Sequence, residues 1–123
     1  MSVEVLTWKP GAPYSTAIKA NGFLFVSGSV PLDPTTGALV GETTPDQTRQ
    51  VLTNLRGIVE GAGVPLSHVV KVTVYLTNMD DFAGMNAVYK EFFPQNPPTR
   101  TTVGISSLAN DAFKVEIDLI AAL

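Results

Sequence analysis

Cysteine is missing from this 123-residue chain, and histidine occurs once, as His68. The first absence excludes disulfides, thiolate catalysis and cysteine-ligated zinc, and a lone histidine cannot anchor a histidine-rich metal site. Charge is scarce too: Asp, Glu, Lys and Arg make up 15% of the residues, against roughly a quarter in soluble domains. The basic residues are scattered singly and the formal net charge is −3, which counts against nucleic acid as a partner. No apolar run approaches the ~20 residues of a membrane span, so no membrane partner is expected. The opening "MSVEVLTWKPG" lacks a basic region followed by an apolar core, so it does not read as a signal peptide and the expected location is cytoplasmic. A Gly-rich phosphate loop, a nucleophile elbow and a histidine beside a serine are also missing. If the chain is an enzyme, it is expected to work with no covalent nucleophile, metal or cofactor.

What is present is apolar: such residues reach 45%. With so little charge, a small protein hides more surface than a monomer easily can, which points to a homo-oligomer. The length suits a single domain, 1–123. "STAIKANGFLFVSGSV" reads as a hairpin turning at Asn21-Gly22, a pair that tolerates the positive φ of a type I′ turn. Its second strand is apolar on both faces and so is expected to be covered on both. "TTPDQTRQVLTNLRGIVEGAG" predicts a helix with Thr44 as N-cap, Pro45 at the first position, Gln47 closing a capping box and Gly63 as the stop. A strand follows, with Val70, Val72, Val74 and Leu76 on one face. In the second helix, "NMDDFAGMNAVYKEFF", Asn86 sits inside the stripe of Phe82, Met85, Tyr89, Phe92 and Phe93. "PPTRTTVGIS" and "FKVEIDLIAAL" are strands, the latter with Phe113, Val115, Ile117 and Leu119 inward and Glu116 and Asp118 opposite. Helices joining strands favour a mixed sheet with both helices on one face, a two-layer α+β domain. Arg100, Thr102 and Glu116 are expected on the other face.

Arg100 has two readings. It is a cross-strand partner of Asp118 or Glu116, if the last two strands pair directly, or a fork holding a ligand carboxylate. Asn86 is a buried amide bonded to nearby backbone or a ligand contact. Glu116 is a solvated strand residue, or a carboxylate in a half-closed pocket able to carry a proton. Tyr14 in "PGAPYS" packs in its loop or lines a pocket, Ser27 ends a strand or faces a ligand, and His68 reads as structural.

Together "APYSTA", "VSGSVP", "NMDDFAGMNAVYKEFF", "PPTRTTV" and "VEIDLIA" resemble, in order and spacing, the Rid (YjgF-type) reactive-intermediate deaminase family. The resemblance covers nearly the whole chain. It implies a chorismate-mutase-like α+β fold, a mixed six-stranded sheet with two helices on one face, assembled as a homotrimer with clefts between subunits. It also implies hydrolysis of 2-imino acids or their enamine tautomers, such as 2-iminobutyrate and 2-iminopropanoate, to 2-keto acids and ammonia. Such intermediates leave pyridoxal-phosphate enzymes that act on serine or threonine. The positions that match make Arg100 and Glu116 catalytic, the first holding the carboxylate and the second near the water. Tyr14, Ser27, Gly28, Asn86 and Thr102 would join Arg100 in binding substrate. Thr16 and Ser29 stand where the family commonly has glutamine, and "SSLAND" lacks a common Leu-Pro; substrate choice is what these departures touch. The competing functions are a ribonuclease or translation inhibitor, a carboxylate-binding regulatory trimer without turnover, and a deaminase specialised for another enamine such as aminomuconate.

Overall fold

The computed structural model describes residues 2–7 and 9–123. Six strands, Val3–Thr7 (β1), Ala17–Ala20 (β2), Phe23–Ser29 (β3), Val69–Leu76 (β4), Thr99–Gly104 (β5) and Val115–Ala122 (β6), lie in the order β1-β2-β3-β6-β4-β5. Helices Thr44–Gly61 (α1) and Phe82–Phe92 (α2) cover one face. This is the expected two-layer α+β arrangement, with β1 added at one edge. Only β4 and β5 run parallel as neighbours, joined through α2; the other pairings are antiparallel.

The alternation of β6 explains its central place. Val115, Ile117, Leu119 and Ala121 are buried on the helix side, each with at most 2% exposure. They meet Leu24 and Val26 from β3, Val72, Val74 and Leu76 from β4, and Val51, Leu52, Leu55 and Val59 from α1. Each such side chain stabilises the fold by about 1.5–3 kcal/mol on burial. The hairpin turns where the sequence says, with Asn21 at φ 51° and Gly22 at φ 85° between the paired residues Ala20 and Phe23. At the far end of α1, Gly63 takes φ 81°; its N–H donates to the Glu60 carbonyl and that of Val64 to the Val59 carbonyl, closing a Schellman motif.

Three local readings are corrected. The N-cap of α1 is Thr43, whose Oγ1 accepts from the Asp46 N–H at 3.3 Å; Thr44 instead donates to Asp81 Oδ2 at 2.7 Å, tying the starts of the two helices together. Gln47 closes no capping box. It is buried, donating to the Gly41 and Ala112 carbonyls and accepting from the Lys114 N–H, because two loops pass over it with backbone groups to satisfy. In β4 the register slips between Val69 and Lys71, so this bulge turns Val69 into the core and leaves Val70 40% exposed.

Within one chain the hairpin strand β3 is covered on one side only. Phe23 and Phe25 stand 40% and 43% exposed on the face away from the helices. Cross-strand register continues that apolar surface from Val5 through Ile18 and Phe25 to Ile120. No described helix is long and apolar enough to cross a membrane.

Candidate functional site

β5 is an edge strand, paired only with β4. Arg100 lies opposite Val72 and Thr102 opposite Val74, and in-register parallel neighbours share a face. Both side chains therefore turn towards the helices. This corrects the expectation that they share the open face with Glu116. The two final strands are not neighbours, since β4 separates them, so the cross-strand ion pair is excluded as well. Among the described residues the one ion pair is Arg49–Glu91, on the surface between the helices. Among those residues Arg100 has no acid in ion-pair contact.

What it has is α2. One guanidinium nitrogen, Nη1, donates to Asn86 Oδ1 at 2.7 Å, and the guanidinium carbon sits 4.6 Å from the Tyr89 ring centroid and 5.6 Å from that of Phe82. Phe82, Asn86 and Tyr89 recur at helical spacing, so a single face of α2 supplies all three. Asn86 interrupts the apolar stripe because a cation lies there; among the described residues its side-chain partner is Arg100, not backbone. Two hydroxyls nearby, Tyr89 Oη and Thr102 Oγ1, are buried without a hydrogen-bond partner. Burial pushes the Tyr89 phenol up to about 12, Arg100 opposing only part of the shift, so it stays protonated.

A second group forms where β3 and β6 meet. The Glu116 side chain lies directly over Gly28, where a Cβ would run into its carboxylate. Burial, and then the negative charge of Asp118, raise the Glu116 carboxyl above the ordinary glutamate range. Asp118 accepts from the Tyr75 hydroxyl at 3.0 Å, a bond that, with burial, holds that phenol protonated. Ser27 Oγ donates to the Ser15 carbonyl at 2.7 Å, which fixes the loop carrying Tyr14, itself 62% exposed. Tyr14, Ser27 and Gly28 also line an open groove of about 900 Å³ that runs under α1.

The predicted residues thus fall into two groups in one chain. Arg100, Asn86 and Thr102 gather between β5 and α2; Glu116, Gly28, Ser27 and Tyr14 gather at the β3–β6 end. Glu116 pairs with Tyr75 on the face opposite the one Arg100 uses, so the two charged residues do not meet within a chain. Phe82 and Tyr89 escaped sequence reading as members of the Arg100 group. Their spacing around Asn86 was the available signal, and it reads equally as core.

The family model described as endoribonuclease L-PSP matches residues 6–123. A RutC family protein of Pyrococcus horikoshii is 52% identical over 113 residues, covering 92% of this chain and 89% of that one. Reactive Intermediate Deaminase A of Arabidopsis thaliana chloroplasts is 44% identical over 111 residues, 90% of this chain and 59% of its own. The crystal structure of E. coli TdcF with bound serine superposes with a TM-score of 0.85 at 36% identity, covering 91% of this chain and 89% of that one. A match over nearly the whole length, with relatives at these identities, establishes that the chain belongs to the Rid (YjgF-type) family.

Proposed function

We propose that this protein hydrolyses small 2-imino acids, or the enamines in equilibrium with them, to 2-keto acids and ammonia. The observation that carries the reading is Arg100: a half-buried guanidinium held on one nitrogen by a neutral amide, with no acid paired to it and its remaining N–H groups uncommitted among the described residues. Such a fork suits a planar carboxylate. The serine bound to the E. coli relative carries that group, and the Arabidopsis relative is named for deamination.

The chemistry asks little of a catalyst. A protonated imine is already electrophilic: water adds to its carbon, a proton passes from the oxygen to the nitrogen, and ammonia departs as the carbonyl forms. Arg100 holds the carboxylate and so fixes the carbon's position. Glu116, whose raised pKa keeps a proton within reach, orients the water and moves its proton. Because Arg100 and Glu116 use opposite faces of the sheet, the complete site needs Glu116, Gly28, Ser27 and Tyr14 from a neighbouring copy. The exposed row from Val5 to Ile120 supplies an apolar surface for that copy, and a homotrimer with three such clefts satisfies both requirements.

The test couples the protein to threonine dehydratase and follows 2-ketobutyrate formation. Wild type accelerates the step, and Arg100→Ala loses about a hundredfold in kcat/KM, the lower bound for two charge-assisted hydrogen bonds. Equal rates for the two proteins would overturn the reading.

A further inference from the structure

The Arg100 fork has a direction, and the sequence pattern does not reveal what sets it. Arginine on an edge strand has several rotatable bonds and open solvent beside it. The bond to Asn86 fixes one nitrogen but leaves the guanidinium free to rotate about the N–H···O line. Two rings remove that freedom: Tyr89 at 4.6 Å and Phe82 at 5.6 Å from the guanidinium carbon. We propose that Tyr89 and Phe82 are positioning residues that hold the plane of the Arg100 guanidinium, so that its free N–H groups keep one orientation before any ligand arrives. The proposal rests on Arg100 being the carboxylate clamp.

Tyr89 acts through its ring. It is 5% exposed, and among the described residues its buried hydroxyl has no hydrogen-bond partner, so the contact with Arg100 is made by the ring face. The ring face attracts the cation, and holding the fork in place beforehand removes an ordering cost from binding. Phe82, 36% exposed at the start of α2, sits farther from the cation and contributes less. The amide and the two rings together make a three-sided holder from one helix face.

The experiment measures the Kd of 2-ketobutyrate by titration calorimetry, with the melting temperature of each protein. Tyr89→Phe is expected to bind like wild type. Tyr89→Leu weakens binding about tenfold and Phe82→Leu about threefold. In an Arg100→Ala background, Tyr89→Leu adds no further loss. Wild-type affinity in both leucine variants, with Arg100→Ala impaired, would overturn the positioning role and leave the clamp standing. So would a Tyr89→Leu penalty of equal size in both backgrounds, which is what lost core packing produces. If Tyr89→Leu fails to fold, Phe82→Leu, an exposed position, is carried through the same pair of backgrounds and decides in the same way. Undiminished affinity in Arg100→Ala would instead sink the clamp itself.

Discussion

Gly28→Ala separates stability from chemistry more sharply than removing a charged residue does. An ideal Cβ at position 28 would lie 2.9 Å from Glu116 Cδ, 3.2 Å from Cγ, and closer still to Oε2. What it strikes is the far end of a flexible side chain, not backbone, so the chain relieves the clash by swinging the carboxylate away. That relief holds the loss of stability below the 1–3 kcal/mol usual for overpacking. The chemistry has no such escape, since proton transfer by a positioned group contributes about 10²–10⁴ and is lost when that group leaves. Gly28→Ala is therefore expected to lower kcat/KM about a hundredfold in the threonine dehydratase assay, while the melting temperature falls by only a few degrees. Glu116→Gln should cost a similar factor, and the double variant should cost little more than either, because both changes remove the same carboxylate. A Gly28→Ala protein that keeps wild-type kcat/KM while Glu116→Gln loses it would refute the reasoning. The carboxylate would then act from wherever the methyl group sends it.

Other outcomes follow from the same geometry. Glu116 is shifted upward in the folded state, so the native protein holds its proton to higher pH than the unfolded chain, and stability attached to this group falls as pH rises through the native pKa. Glu116→Gln should accordingly match wild type in melting temperature near pH 4 and exceed it near pH 8, both of which calorimetry reads directly. An advantage confined to acid would reverse that sign. Gln47→Leu strands the Lys114 N–H and the Ala112 and Gly41 carbonyls, and denaturant titration should register a loss of about 2–3 kcal/mol. Phe25→Asp puts a charge into the exposed apolar row; analytical ultracentrifugation should find the proposed trimer for wild type and monomers for the variant, and a variant that assembles like wild type would exclude that face as the contact.

The sequence disclosed most of the architecture because periodicity and turn chemistry are local. Asn21-Gly22, Gly63 and the inward residues of β6 each specify their own surroundings, and the fold obeys them. What stayed hidden depends on neighbours distant in the chain. The position of β6 between β3 and β4 cannot be read from β5 and β6, and that ordering decides on which face Arg100 emerges. Alternation correctly put Arg100 and Thr102 together on β5; it could not say that their face points to α2. Gln47 offers the right spacing for a capping box, yet the loops around residues 41 and 112 claim its amide. Val3–Thr7 is short and half polar, and reads as a strand only once β2 lies beside it.

The central seat of β6 has a price during synthesis. β3 and β4 are not neighbours in the finished sheet, because β6 lies between them, so a growing polypeptide that has emerged as far as β5 still has a gap down its middle. Two unpaired strand borders and part of the underside of α1 stay exposed to other chains until residues 115–122 arrive. Closure is then a single late event, in which an eight-residue segment zips into the slot from both sides and completes the layer beneath α1. Fragments ending before Val115 should persist only as chaperone clients or aggregates, however well their helices form.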